Sequence, residues 1–186
     1  MEHLLDNNSG IVFISETWLE SDTNDITALV KTYGYVLLHN RHKNREKDIG
    51  GGVGIMLKSN YTFKHLKFNS FSSFEMTVVK VSLQNNKSIL LVSIYRVLFV
   101  SVSIFLEEIV QLFEALVTMC NPIVLAGDVN IHMEVDETYS LRFRDILQTF
   151  NFIQHVDFPT HIQGHTLDIL ATLDNCIGIS DLKAGV

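Results

Sequence analysis

The chain has few cysteines and no long apolar run, and each shortage excludes a class of protein. Of its 186 residues, two are cysteines, Cys120 and Cys176, which lie far apart. We therefore expect no disulfide framework, and a reducing, intracellular setting fits better. The longest candidate apolar run, residues 97–106, is interrupted by serines. It is shorter than the roughly 18–20 apolar residues that cross a bilayer, so no membrane partner is expected.

The amino terminus lacks a recognisable signal. It does not show the order of basic, apolar and small residues that is typical of a signal peptide. We therefore expect an intracellular protein, and the sequence does not decide between nucleus and cytoplasm. It also shows no feature that calls for an obligate protein partner.

An excess of basic charge is also missing. The net charge is −7, from 14 Lys and Arg against 21 Asp and Glu. A protein that binds nucleic acid mainly through its overall field would be basic, so any such contact here needs a local patch or a bound metal ion. The best local patch contains Arg41, Lys43 and Arg45. A solvated loop is the alternative, and the sequence alone favours it.

Short strand-like runs alternate with amphipathic helical patterns along the chain. The predicted strands are 11–15, 35–39, 52–57, 74–83, 88–95, the run from 123 to Asp128, and 166–172. The predicted helices cover 26–33, 103–118 (capped by Ser103) and 139–150. Their inward stripes are Ile26, Leu29, Val30 and Tyr33; Phe105, Ile109, Leu112 and Leu116; and Phe143, Ile146, Leu147 and Phe150. Asn85-Asn86-Lys87 predicts a hairpin turn.

The order of these elements predicts one α/β domain that spans residues 1–186. Some strands follow one another directly and others are separated by helices, which indicates mixed sheets in α/β layers. The hydrophobic fraction of 47% is enough for a well-packed core. We find no repeat, low-complexity tract or linker.

The most informative stretch is the apolar run that ends in Gly127-Asp128-Val129-Asn130. In open α/β sheets, ligands bind at the carboxyl ends of strands. Side chains at i and i+2 of an extended segment point the same way, so Asp128 and Asn130 are predicted to share one polar site. An acid and an amide there suit a hard cation or an activated water molecule.

Polar residues also follow other predicted strands. Glu16 comes directly after the first strand, where it is either a helix N-cap or a metal ligand; together with Asp128 it fits Mg²⁺. Tyr95 and Arg96 end another strand, either as an edge aromatic and a surface arginine or as a phosphate-binding pair. Asp168 adds a further acid at the start of the last strand.

Two other motifs are weaker. The glycine-rich segment 50–54 lacks the last glycine of the dinucleotide fingerprint and does not match a P-loop, so it predicts a tight turn into a closely packed strand. His155, His161 and His165 suggest zinc, but Gly164 and Pro159 make a helix there improbable and no paired CxxC is present. A loop stabilised by histidine hydrogen bonds is the preferred interpretation.

Five motifs in this order resemble the endonuclease/exonuclease/phosphatase superfamily. More narrowly, they are similar to the apurinic-type endonuclease domain of non-LTR (LINE-like) retrotransposons. The motifs are residues 14–19, 50–55, 95–96, 127–132 and 159–168. The resemblance implies a four-layer α/β sandwich, in which two mixed β-sheets are flanked by helices. It also implies cleavage of phosphodiester bonds in DNA with Mg²⁺, or with Mn²⁺ in its place.

The resemblance also implies roles for individual residues. Glu16 would ligate the metal, and Asp128 and Asn130 would position and activate the attacking water, with Asn130 also touching the phosphate. Tyr95 would hydrogen-bond the scissile phosphate or help the leaving oxygen, and Asp168 would orient a catalytic histidine. The phosphate or DNA contacts would come from Arg96, Arg41, Lys43 and Arg45.

The chain departs from the family pattern at both ends. No strand bearing a metal-supporting asparagine precedes Ile11, and Ser180-Asp181-Leu182 is not the terminal Ser-Asp-His motif. Val97 also stands where a proline commonly follows the Tyr-Arg pair. We therefore expect a truncated domain without its first and last strands. It would be weak or inactive, because the catalytic histidine of the terminal motif is absent. Losing one such electrostatic contributor costs about 10²–10³ in rate.

Three interpretations stay open at this point. The chain is such an endonuclease-type domain, or a non-catalytic remnant that binds metal or nucleic acid, or a phosphatase of the same superfamily that acts on a phospholipid or inositol phosphate.

Overall fold

The computed structural model describes residues 9–19, 24–40, 51–119 and 122–173, which contain nine strands and three helices. The strands are β1 (Ile11–Ser15), β2 (Tyr35–Asn40), β3 (Val53–Lys58), β4 (Phe63–Leu66), β5 (Phe74–Ser82), β6 (Ser88–Arg96), β7 (Ile123–Asp128), β8 (Phe152–Gln154) and β9 (Asp168–Leu173). The helices are α1 (Asn24–Thr32), α2 (Val102–Val117) and α3 (Thr138–Thr149). Every predicted strand and helix is present, with ends within about two residues of the prediction.

The strands form two sheets. The smaller sheet has the order β1-β3-β2, with antiparallel neighbours. The larger sheet has the order β4-β5-β6-β7-β9-β8. It is mixed, because β6 and β7 pair in parallel while its other neighbours pair antiparallel. A parallel pair needs a crossover connection, and α2 lies in the chain between β6 and β7.

Apolar side chains alternate along the strands and so separate four layers. In β3, Ile55 and Leu57 face the larger sheet, where they pack with Val79 and Leu91. Met56, between them in sequence, faces the other way and packs in the cluster that contains Val30 of α1 and Tyr35. The opposite face of the larger sheet packs against α2 and α3. The predicted four-layer α/β sandwich is therefore confirmed.

The inward stripe predicted for α2 is confirmed. Phe105, Ile109, Leu112 and Leu116 are all buried in the largest core cluster. The predicted cap was wrong, because the helix begins earlier in the chain than expected. Ser101, rather than Ser103, accepts a hydrogen bond from the Ile104 amide at 3.4 Å.

The stripe predicted for α1 was only partly right. Val30 is buried, but Leu29 is 45% exposed and Tyr33 is 54% exposed. The helix ends at Thr32 because Gly34 adopts φ +79 and its amide donates to the Lys31 carbonyl at 3.0 Å. A glycine in the left-handed region after the last turn is a common helix stop.

The sequence did not predict the two edge strands of the larger sheet. β4 has four residues and β8 has three, and they pair with β5 and β9 respectively. Strands this short carry no measurable alternation, and short edge strands also limit unwanted pairing with other chains. The predicted turn between β5 and β6 is present, with Asn85 at φ 60 and Asn86 at φ 57.

No helix in the described part of the chain is both long and apolar enough to cross a membrane. The longest, α2, has 16 residues.

Gly127 fixes how closely β6 and β7 approach one another. Its φ is +144, and a Cβ atom there would lie 1.9 Å from the Ile94 carbonyl oxygen. Ile94 is its partner in the parallel register, so no side chain fits without separating the strands.

Gly127→Ala should therefore lower the free energy of unfolding by about 2–4 kcal/mol, measured by urea denaturation. The matched control is Gly34→Ala, at φ +79, where an added Cβ would meet no atom within 4 Å. That variant should lose only the roughly 1–2 kcal/mol of left-handed strain. Equal losses in the two variants would contradict the close-approach account.

Candidate active site

Four polar residues form one row across the larger sheet. Glu75 of β5 is the register partner of Tyr95 of β6, Tyr95 is the partner of Asp128 of β7, and Asp128 is the partner of Asp168 of β9. Directly paired residues in a sheet project to the same face. Strands β6, β7 and β9 therefore present a phenol and two carboxylates side by side. The Glu75 carboxylate of β5 lies next to the phenol.

The row lies at the end of the layer between the two sheets. Tyr95 packs with Val53 of β3, so its face of the larger sheet is the one that meets the smaller sheet. Four positions further along the same face, Leu91 belongs to the apolar cluster between the sheets. The layer thus changes from apolar to polar towards the carboxyl ends of β6 and β7, where a ligand site was predicted.

Glu16 joins this row from the smaller sheet. It follows the last residue of β1, and its Oε1 accepts a hydrogen bond from the Tyr95 hydroxyl at 2.6 Å. Its charge also acts on Asp128. Glu16 and Asp128 are therefore on the same side of the molecule, as a shared metal site requires.

A glycine turn positions the Glu16 segment. The amides of Thr17 and Trp18 donate to the carbonyls of Gly52 and Gly51 at 3.0 and 2.9 Å. Gly52 has φ +88, and a Cβ there would lie 2.3 Å from the Thr17 hydroxyl oxygen. The glycine-rich segment is thus a close backbone contact that leads into β3, as the sequence indicated.

Glu75 completes this arrangement and was missed at the sequence level. It is buried, 3% exposed, and its Oε2 accepts a hydrogen bond from the Gly52 amide. A buried carboxylate that accepts from a turn amide can fix the position of that turn. The signal in the sequence was an acid in the apolar first half of a predicted strand, since a buried acid in a sheet needs a specific partner.

Asn130 lies beside Asp128, but not through strand alternation. β7 ends at Asp128, and Asn130 has φ 49 in the left-handed region, so the extended geometry predicted for the pair was wrong. Instead, the Asn130 amide donates to Asp128 Oδ1 at 2.8 Å, and its side-chain Nδ2 donates to the Arg96 carbonyl at 3.0 Å. The turn brings the acid and the amide together, because asparagine tolerates this conformation.

Arg96 is placed differently from the prediction. It is 5% exposed, and its Nε donates to the Val129 carbonyl at 2.7 Å while Nη2 donates to the Asn130 carbonyl at 2.8 Å. Its Nη1 donates to the Val100 carbonyl at 3.3 Å. The guanidinium therefore stabilises the backbone around Asn130. The alternative of a surface arginine was wrong, because the side chain is buried, and the phosphate contact stays a prediction. Arg41, Lys43 and Arg45 lie outside the described residues.

The surroundings of Asp128 oppose its ionisation. Burial raises its pKa, and the negative charges of Asp168 and Glu16 raise it further. The hydrogen bond from the Asn130 amide and the charge of Arg96 act in the opposite direction, and the net pKa is about 7. A divalent cation would reverse this cost, because it favours the charged form of every carboxylate around it.

His155, His161 and His165, for which zinc was considered and not preferred, do not form one set of metal ligands in the described part of the chain. His155 Nε2 lies 2.7 Å from the Thr172 hydroxyl, and His165 Nδ1 lies 2.8 Å from Glu134 Oε1. The preferred interpretation, a loop stabilised by histidine hydrogen bonds, is confirmed for these two residues. His161 contacts His165 through its ring, with the two ring centroids 6.2 Å apart.

Comparisons with known proteins show the family and support the fold. A family model described as the Endonuclease/Exonuclease/phosphatase family matches residues 1–172. No curated protein matches the sequence significantly. Solved structures with a similar fold include the endonuclease domain of TRAS1, a telomere-specific non-LTR retrotransposon. It is 15% identical at a TM-score of 0.69, with 91% of this chain and 75% of that chain covered.

Two further structures extend the comparison. The 3′ phosphatase NExo from Neisseria, bound to a product DNA hairpin, is 14% identical at a TM-score of 0.62, with 93% of this chain and 80% of that chain covered. The human Nocturnin catalytic domain with bound sulfate is 12% identical at a TM-score of 0.64, with 93% of this chain and 72% of that chain covered. At these identities the likeness concerns the fold.

The raised pKa of Asp128 gives a pH-dependent prediction. When a carboxyl has a higher pKa in the folded chain than in the unfolded chain, the free energy of unfolding falls as pH rises between the two pKa values. This loss of stability is complete above the folded-state pKa. Asp128→Asn removes this cost. In EDTA, the stability of Asp128→Asn relative to the wild type should be about 1–3 kcal/mol higher at pH 8 than at pH 5. This range includes a discount for the partial exposure of Asp128.

Urea denaturation at both pH values measures this difference. Asp145→Asn, which changes an exposed carboxyl on α3, is the control and should differ between the two pH values by less than about 0.5 kcal/mol. A stability difference for Asp128→Asn that is the same at pH 5 and pH 8 would refute the assignment.

Proposed function

Because the chain belongs to the Endonuclease/Exonuclease/phosphatase family, we propose that it is a Mg²⁺-dependent phosphodiesterase of the DNA endonuclease type, derived from a non-LTR retrotransposon. The observation that carries this proposal is the meeting of Glu16, Tyr95, Asp128 and Asp168 at one end of the inter-sheet layer. A phosphodiesterase needs such a cluster, because it must counter the negative charge that develops on the phosphate.

The acidic residues fit a hard divalent cation. Their donors are carboxylate oxygens. Burial, and after it the negative charges of Asp168 and Glu16, raise the pKa of Asp128, and a bound cation would offset both effects. Mg²⁺ keeps several waters and uses one or two carboxylates directly, so it does not require a tightly closed set of protein ligands. Glu16 and Asp128 would hold it, or Mn²⁺ in its place. When bound, it would neutralise charge on the phosphate oxygens and lower the pKa of a coordinated water.

The chain's own residues divide the remaining work. Asp128, kept ionised by the cation, would position the attacking water and accept its proton. Tyr95 orients Glu16 through its 2.6 Å hydrogen bond. Its phenol would hydrogen-bond the scissile phosphate or help the leaving oxygen. Asn130 is held beside Asp128 by its amide and by Arg96, which makes Arg96 a positioning residue. Asp168 adds negative charge next to Asp128.

Several features support DNA as the substrate. The TRAS1 domain is an endonuclease, and the Neisseria enzyme is bound to DNA. Trp18, two residues after Glu16, is 57% exposed and can stack on a base. With a net charge of −7, binding would depend on this local surface and on the metal rather than on the overall field.

Binding without turnover is the second candidate function. Among the described residues, Arg96 is the cation whose charge acts on Asp128, and its N–H groups point at backbone carbonyls. The described part of the site therefore supplies no free guanidinium to polarise a phosphate. This observation favours low activity, and the experiment below separates the two candidates.

The first test is nicking of supercoiled plasmid in Mg²⁺ by the full chain. The wild type should nick the plasmid, and Asp128→Ala should lower the rate by at least about 10²-fold, since it removes an electrostatic contributor at the reacting centre. Asp145→Asn is the control and should nick at the wild-type rate. Nicking by the wild type that Asp128→Ala leaves unchanged would contradict the proposed role of Asp128.

The second measurement is the shift of the melting temperature on addition of Mg²⁺ at pH 8. A ligand that binds only the folded chain raises it. The shift should appear in the wild type and in Asp145→Asn, and should be absent in Asp128→Asn and Glu16→Gln. A shift without nicking would identify the non-catalytic remnant. The same proteins, offered a 3′-phosphorylated DNA and an inositol phosphate, would reveal a phosphatase instead.

A further inference from the structure

A second cluster of potential metal ligands lies next to the row that contains Asp128. It consists of His132, Glu134 and His165, and these residues offer one ligand atom each within 4.8 Å of one another. It is the one such set of three among the residues that the structure describes. His165 Nδ1 is 2.8 Å and His132 Nδ1 is 3.6 Å from the same atom, Glu134 Oε1.

Backbone pairing beyond the ends of β7 and β9 brings the cluster together. The Val129 amide donates to the Leu167 carbonyl at 3.0 Å, and the Met133 amide donates to the Thr166 carbonyl at 2.9 Å. The segment after β7 therefore runs beside the segment that enters β9. His132 and Glu134 flank Met133, and His165 precedes Thr166, so this pairing places all three side chains at one point.

The cluster also has the supporting contact that metal ligands usually show. Glu134 Oε2 accepts a hydrogen bond from the Thr166 amide at 2.9 Å, which fixes the carboxylate and directs Oε1 towards the two imidazoles. The rings of His132 and His165 lie with centroids 4.0 Å apart and an angle of 32° between their planes. Both Nδ1 atoms lie within 3.6 Å of the same carboxylate oxygen, Glu134 Oε1.

The donor types select the class of ion. Two imidazole nitrogens and one carboxylate oxygen suit Zn²⁺ and similar transition metals, whereas Mg²⁺ and Ca²⁺ prefer oxygen donors alone. Bonds of about 2.0–2.2 Å in a tetrahedral site place the ligand atoms roughly 3.3–3.5 Å apart. The present spacing reaches this value with small side-chain rotations, because His132 and Glu134 are exposed.

We infer that His132, Glu134 and His165 form a site for Zn²⁺ or a related imidazole-binding divalent ion, separate from the proposed Mg²⁺ site. The bound ion joins the segment after β7 to the segment before β9. These are the two segments that carry Asn130 and Asp168. The site is a structural clamp on the border of the polar row, and it does not depend on the proposed phosphodiesterase activity.

The test is calorimetric titration of the full chain with ZnCl₂ in excess Mg²⁺, which would occupy the proposed hard-cation site. We expect one Zn²⁺ per chain. His132→Ala and His165→Ala should each weaken binding by more than the roughly 10–100-fold that loss of a supporting contact causes. His65→Ala, which removes an exposed histidine of β4, is the control and should bind Zn²⁺ as the wild type does.

Two further measurements separate this site from the proposed Mg²⁺ site and report its coordination geometry. Asp128→Asn should retain Zn²⁺ binding, which separates this site from the proposed Mg²⁺ site whether or not that proposal holds. Co²⁺ in place of Zn²⁺ should give the visible absorption of a tetrahedral nitrogen–oxygen site in the wild type, without any substitution. The inference is overturned if the wild type binds no Zn²⁺, if binding survives in both histidine variants, or if Asp128→Asn abolishes it.

Discussion

The pairing of β6 with β7 is the constraint on which the rest of the site depends. In this register Tyr95 stands opposite Asp128, and the antiparallel neighbours then bring Glu75 and Asp168 to the same row. A slip of one residue would turn Asp128 towards the helices and an apolar residue towards the polar end. The register is specified because both faces of β6 are buried, by α2 and α3 on one side and by the smaller sheet on the other.

The second sheet contributes through a series of short contacts. The Glu75 carboxylate accepts a hydrogen bond from the Gly52 amide, and the Gly52 carbonyl accepts one from the Thr17 amide. The Glu16 carboxylate accepts a hydrogen bond from the Tyr95 hydroxyl. The first and third contacts join the two sheets at the polar end of the layer between them, and the second stabilises the glycine turn. The apolar cluster between the sheets sets their separation, and these polar contacts set their alignment. The position of Glu16 relative to Asp128 is therefore a property of the whole sandwich.

The sequence predicted those parts of the fold and site that local patterns encode. The run that ends at Asp128 is apolar on both faces and then abruptly polar, so its place in the sheet and its strand-end acid could be read directly. Arg96 and Asn130 were placed less well, because the direction of a guanidinium and a left-handed φ depend on tertiary neighbours. Glu75 and the His132, Glu134 and His165 cluster depend on pairings between distant segments, which one sequence does not reveal.

On the proposed function, Glu16 and Asp128, 112 positions apart in sequence, bind one divalent ion. Crystals of the full chain soaked in Mn²⁺ and measured by anomalous scattering at the manganese edge test it most directly. We expect a peak at roughly 2.0–2.3 Å from a carboxylate oxygen of each residue, the range for oxygen ligands of small hard cations. Manganese that occupies other positions while both of these carboxylates stay without an ion would contradict the account.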